Sequence, residues 1–192
     1  MLDRTLLQTL DSERTLKSYK SSSPPVLPLP MFKGVPPVLL VFEPDDLTIG
    51  IAYETQHVPG SPMIRATNRE STLYCIPRLT PVLAASGGKV VQVRKEEDGH
   101  RVVIKHCHGW LTIYRGITYP VHEQRWATRV KTGTLIGHLA SSRAGPMRPL
   151  YFELWRAVGE HDYERIDPIR HMRRWRHIDL SHEVTRARAL NH

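Results

Sequence analysis

The chain has 192 residues, 40% of them apolar and 24% charged, with 12 glycines, 15 prolines and two cysteines. This composition is globular and excludes a disordered chain, a coiled coil and a collagen-like rod, for neither a heptad nor a glycine repeat runs through it. The formal charge of +8 is unevenly placed: residues 1–60 hold five basic and seven acidic side chains, residues 61–164 fifteen and nine, and residues 165–192 seven and three. Such a surface suits polyanionic partners, and the eleven histidines add charge in mild acid.

Along the chain, Leu2, Leu6, Leu7 and Leu10 are spaced as one face of a short amphipathic helix. Three serines and six prolines (Pro24, Pro25, Pro28, Pro30, Pro36, Pro37) follow. Proline fixes φ and lacks an N–H, so this stretch reads as an extended linker or a strap laid on another surface. The period then changes. Val38–Phe42 and Thr48–Tyr53 read as strands about a Glu43–Asp46 turn, and 54–70 as a loop. Further strands are predicted at 72–76, 81–84, 89–94, 101–106, 110–114, 134–139 and 150–156, separated by Gly and Asp turns; 121–129 gives no single period. This spacing is that of a mostly β antiparallel sandwich or barrel. Asp167-Pro168 opens a terminal helix, with Arg170, His171, Arg173, Arg174, Trp175 and Arg176 as a basic face with aromatic content. The organisation expected is a leader helix and Pro-rich linker (1–37), a β domain (38–168) and a basic helical tail (169–192).

No apolar stretch approaches the ~20 residues of a membrane-spanning helix, and the N-terminus lacks a basic region followed by an apolar one. The chain as encoded is therefore expected in the cytoplasm, or in a virion or at the envelope through assembly. Two cysteines, Cys75 and Cys107, are too few for a disulfide framework. Dinucleotide-binding, phosphate-loop, HExxH and GxSxG motifs are absent. The one local cluster of metal-ligating types is His106-Cys107-His108. In a strand its two imidazoles share a face, and a metal would need a third ligand such as His122 or His138.

Six pieces, in order, carry a resemblance over Pro77 to Pro168. Pro77-Arg78-Leu79-Thr80-Pro81-Val82-Leu83-Ala84 follows P-x-G-T-P-V-x-A, with Leu79 for Gly. Gly88-Lys89-Val90-Val91 follows G-x-V. Val102 to His106, then Gly109, Thr112 and Tyr114, follow V-x-I-x-H-x-x-G-x-x-T-x-Y. Val130 to Gly137 follows V-x-x-G-x-x-I-G, Leu150-Tyr151-Phe152-Glu153 sits on H-L-H-F-E, and Ile166-Asp167-Pro168 closes the run. In this the chain resembles the lysostaphin-type (LytM-type) zinc endopeptidase domain of peptidoglycan hydrolases. The resemblance implies a LytM-like β fold. It also implies a zinc site, formed by the His and Asp of H-x-x-x-D and the second His of H-L-H, with two further histidines acting on the water and the oxyanion.

In this register the ligand and catalytic positions hold Arg69, Leu73, Gly116, Pro149 and Tyr151. Arginine is a permanent cation, leucine, glycine and proline offer no ligand atom, and a phenol titrates near pH 10. Zinc needs at least three N, O or S ligands and without it no water is activated near neutral pH. The expectation is a relative that has kept its fold and lost its hydrolytic site, with no catalytic residue, no metal and no cofactor. It would act as a binding or structural component with protein partners, peptidoglycan or copies of itself. A groove lined by Tyr114, Tyr151 and Glu153 would hold peptide or glycan, or be filled by the chain's own loop 54–70 or strap. Two alternatives stand beside it. One is an active endopeptidase with zinc drawn from Cys75, His106, His108 and His138. The other is a nucleic-acid-binding protein using the basic tail from Arg165 to Arg188, disfavoured because no helix-turn-helix or zinc-finger pattern is present.

Overall fold

The computed structural model describes residues 2, 4–12, 23–42, 45–54, 63–64, 74–77, 79–121, 128–139, 149–159 and 162–180. Helix α1 is Arg4–Ser12. Strands β1 to β13 follow: Val38–Phe42, Asp45–Glu54, Met63–Ile64, Tyr74–Cys75, Thr80–Leu83, Gly88–Glu96, Gly99–Lys105, Trp110–Ile117, Tyr119–Pro120, Arg129–Val130, Leu135–Leu139, Leu150–Ala157 and Tyr163–Ile166; helix α2 is Pro168–Met172. Among the described residues none of the helices is long and apolar enough to cross a membrane.

The expected mostly β antiparallel architecture is present. The larger sheet runs β10-β6-β7-β8-β12-β2-β4-β3, with β1 on β2 and β13 on β12, and a smaller one runs β5-β11-β9. Strand alternation gives the larger sheet two faces. Val102 pairs with Tyr114, and Tyr114 with Phe152, so these lie on the inner face. There they join Ile49, Ile104, Val82, Ile136 and Leu139 in the main core, which links the two sheets. Val103, Ile113, Leu111 and Trp155 lie on the outer face, and Leu2, Leu6 and Leu10 of α1 bury against them. The leader helix thus folds on its own chain, and Lys105 Nζ donates to Leu10 O at its C-terminal end (3.1 Å), where a cation meets the negative end of the helix.

The proline strap is part of the main core. Val26, Leu27 and Leu29 are buried. The prolines supply acceptors where they cannot donate: Leu83 N–H donates to Pro28 O (2.7 Å), Arg176 N–H to Pro25 O (3.1 Å) and the Tyr53 hydroxyl to Pro30 O.

Several expectations need correction. Residues 63–64, in the expected loop, form β3, and Tyr163–Ile166, outside the predicted strands, form β13. The strand expected to run through His106 ends at Lys105, and Cys107–Gly109 is a single 3-10 turn in which His108 has φ 55°. His106 and His108 therefore do not share a strand face. The terminal helix is shorter than expected. Asp167 caps it, accepting from Ile169 N–H (2.9 Å), but helical bonding stops at Met172 and the chain turns to run beside the strap at Val26↔Arg176 and Met31↔Asp179. Residues 181–192 lie outside the described residues, as do 122–127 and 140–148.

Candidate functional site

The strand pair β8–β12 positions the family-motif residues. Tyr151 stands opposite Arg115 and Glu153 opposite Ile113, all on the outer face. At the end of β8 the register slips by one residue against β7, between the His100↔Ile117 and Val102↔Tyr114 pairs. Gly116 sits in this irregularity with φ +85°, and a Cβ there would lie 3.6 Å from Pro149 O. A bulge of this kind re-aims the residues that follow it. Three of the five motif positions, Gly116, Pro149 and Tyr151, therefore meet in space. Arg69 and Leu73 lie outside the described residues.

Beside them the outer face opens into a groove of about 470 Å³, lined by Thr48, Glu96, Asp98, Arg115, Gly116, Tyr151, Glu153 and Arg165. Its floor is an ion-pair chain. Arg115 Nε lies 3.2 Å from Glu153 Oε1, Arg115 Nη1 lies 3.9 Å from Glu96 Oε2, and Arg101 Nε lies 3.4 Å from Glu96 Oε1. Arg101 Nη2 also donates to Gln92 Oε1 (2.7 Å), and the Trp155 indole N–H donates to Glu153 Oε2 (2.8 Å). The Nε atoms of Arg101 and Arg115 are buried without an aligned acceptor, so these contacts are charge pairs rather than directed hydrogen bonds. Glu153 is nearly buried, its side chain 6% exposed against 39% for Arg115. A buried carboxylate needs such partners. Arg165 donates to Thr48 Oγ1 (3.0 Å) and lies 5.7 Å over the Trp155 ring, which links the groove wall to the residues under α1.

Tyr114 does not belong to this groove. It faces the opposite side of the sheet, fully buried, and its hydroxyl accepts from Ala85 N–H (2.9 Å). Thr112 Oγ1 lies 3.1 Å from that hydroxyl and 2.7 Å from His106 Nε2, while His106 Nδ1 donates to Gly87 O (2.9 Å). Burial holds the His106 pKa down at about 4 and pushes Tyr114 up to about 12. Both ring nitrogens of His106 are committed to the core. Gly88 is required beside them, because a Cβ there would come 2.5 Å from Lys105 O. Cys107 is a free thiol. Among the described residues His106, His108 and His138 do not gather with a further ligand into a three-residue metal cluster.

The Pro77 turn has a positive φ at the position where its motif carries glycine. Thr80 Oγ1 donates to Pro77 O (2.6 Å), and Leu79 stands in the glycine position with φ +57° and 51% exposure. A side chain in this region costs about 1–2 kcal/mol, offset in part by glycine's greater freedom when unfolded. Leu79→Gly is therefore expected to raise stability by about 0.5–1 kcal/mol. A higher urea midpoint at unchanged slope would show it, and a lower midpoint would refute it.

The basic residues of the tail are elsewhere. Arg170, Arg173, Arg174 and Arg176 are exposed on and after α2, which packs through Met172 onto the inner core, away from the groove. Sequence reasoning missed Arg115, Arg165, Glu96 and Asp98 as groove residues. The alternation of Leu111, Ile113 and Arg115 against Tyr151 and Glu153 could have revealed Arg115, given the strand register.

A family model described as peptidase family M23 matches residues 68–168. Among solved structures, a putative peptidase M23 from Pseudomonas aeruginosa is 16% identical with a TM-score of 0.53, covering 88% of this chain and 59% of its own. The present chain thus spans little more than half of that protein. Lysostaphin is 17% identical (TM-score 0.44; 60% of this chain, 49% of its own). A structure of the SpoIIQ-SpoIIIAH pore forming complex is 18% identical (TM-score 0.44; 80% and 98%). None of the curated proteins matches the chain. The P. aeruginosa structure supports the likeness of fold, and the family model runs from ahead of the Pro77 turn through the strands of the groove to Pro168: this chain belongs to peptidase family M23.

Proposed function

We propose that this M23-family chain is a non-catalytic binding or structural component of a larger assembly at the cell envelope, reached through that assembly. A phage tail, a secretion apparatus or a complex regulating cell-wall amidases are settings of this kind. The observation that carries the reading is the groove floor, where the Arg115 guanidinium is paired with buried Glu153 beside Gly116 and Tyr151. Zinc requires three or more neutral or anionic ligands. Of the three carboxylates that line the groove, Glu153 and Glu96 are engaged by arginines, and among the described residues Asp98 does not gather with them into a group that could hold a metal; two guanidinium groups line the same space, and the motif positions offer at best a phenol. These residues do not fit zinc, and no hydrolytic step is derived from them. A groove of this size lined by both signs of charge is suited instead to holding a polar segment of a partner, protein or peptidoglycan, through paired contacts.

The experiment is to purify the full chain in the presence of zinc, dialyse it, and measure both metal content and peptide release from purified murein. Neither stoichiometric zinc nor released peptide is expected, while cross-linking in envelope or particle fractions captures the chain in a complex. Stoichiometric zinc together with murein cleavage would overturn the proposal.

A further inference from the structure

We propose that the surface formed by α2 and the turn after it is a sequence-independent docking site for single-stranded nucleic acid, held through its phosphates. It lies away from the groove, so it stands or falls independently of the reading above.

Residues 168–177 contain four arginines, two histidines and no acid. Two carboxylates flank the segment: Asp167 is engaged by Arg170 Nε (3.2 Å) and by the helix cap, and Asp179, three residues after Arg176, is exposed and makes contacts of its own. Arg173, Arg174 and Arg176 are exposed, and their guanidinium groups make no ion pair or side-chain hydrogen bond with any described residue. Exposed arginines concentrated on one short segment, without partners among the described residues, offer planar donor forks that match phosphate oxygens.

Two half-buried tryptophans lie among them. Arg156 sits 5.6 Å over the Trp110 ring, His171 meets the same ring edge-on at 5.4 Å, and Trp175 packs against Phe152 at 5.9 Å. Cations interleaved with aromatic rings are the composition that holds single strands, where bases stack and the backbone is neutralised. The missing helix-turn-helix bears on duplex reading alone. A five-residue helix is too short to read a major groove, which is why the contact assigned here is to an unpaired strand and carries no sequence preference. A lipid surface is the poorer fit, since residues 168–177 expose no large apolar side chain to insert among acyl chains.

The test is fluorescence anisotropy of a labelled oligothymidylate titrated with the full chain. Binding is expected at low salt. With three phosphates neutralised at a slope of about −0.7 each, raising salt from about 50 to 200 mM weakens it about 20-fold. Replacing Arg173, Arg174 and Arg176 together by Gln removes that salt dependence and at least about tenfold of the affinity, whereas replacing them by Lys keeps most of it. A control in which Arg94, Lys95 and Lys131 become Gln removes the same formal charge from other exposed positions and leaves affinity within about twofold. Three results would each overturn the proposal: no binding at low salt, equal losses in the two Gln variants, or tighter binding to phosphatidylglycerol vesicles than to the oligonucleotide.

Discussion

The stability gap between the wild type and His106→Gln is expected to shrink by about 3 kcal/mol as the pH is lowered from about 7 to about 4. His106 is buried in the core and held at a pKa of about 4 by desolvation, against 6.5 for an ordinary imidazole, the bond to Gly87 O opposing only part of the shift. The unfolded chain therefore takes up its proton first. The contribution of a neutral, buried His106 is complete above pH 6.5, declines as pH falls below that value, and is gone at about pH 4. Two and a half pH units of separation correspond to about 3 kcal/mol. A glutamine has no proton to gain in this range, so urea unfolding of both proteins at several pH values isolates this one group from the other histidines. A gap that stays constant across the range would show that His106 is not carried neutral in the folded core.

This histidine also shows what was legible in the sequence. Its motif, Val102 to His106 with Gly109, Thr112 and Tyr114, gave the order of β7, the turn and β8, because apolar alternation and glycine punctuation are local signals. The pairing of His106 with Thr112 and Tyr114 is a matter of which way each side chain faces, and that depends on where a strand ends. A positive φ at His108 has no mark in the sequence, so two histidines read as neighbours on one face are instead one buried and one exposed.

The candidate groove was half legible for the same reason. Motif register lists Gly116, Pro149 and Tyr151 as ligand or catalytic positions, and in the fold these three lie close together beside a groove that Glu153 also lines. The motif reading sets Tyr114 in the same groove. Yet cross-strand register sets Tyr114 against Phe152 and Tyr151 against Arg115, on opposite faces. The slip at the end of β8 brings Gly116 to the groove while Tyr114 stays in the core. Bulges are written in pairing, and pairing is non-local. The ion-pair chain from Arg101 to Trp155 spans β6, β7, β8 and β12 and could only be read once those strands were side by side.

Leu29→Ala is expected to destabilise the protein by roughly 3 kcal/mol, within the usual range for a fully buried leucine cut to alanine. From sequence this stretch is an extended linker or a strap laid on another surface: rich in proline and serine, a composition that resists regular structure. In the fold its apolar residues occupy the main core with Tyr53, Val82 and Met172, and Leu29 has no exposed surface. The prolines limit the states open to the unfolded strap, so ordering it costs less than ordering a flexible segment. Its carbonyls take hydrogen bonds from β5 and from Arg176, which ties the strap to the smaller sheet and to the segment after α2. A loss of this size is a large share of the 5–15 kcal/mol of an ordinary domain. Pro24→Ala, at an exposed position ahead of the buried run, should change stability by less than about 0.5 kcal/mol. If chemical denaturation shows Leu29→Ala as mild as Pro24→Ala, the strap is a covering and not core. If the full loss is found, the leader of this M23-family chain cannot be removed to isolate a β domain, and binding experiments on the groove or the arginine surface require the intact chain.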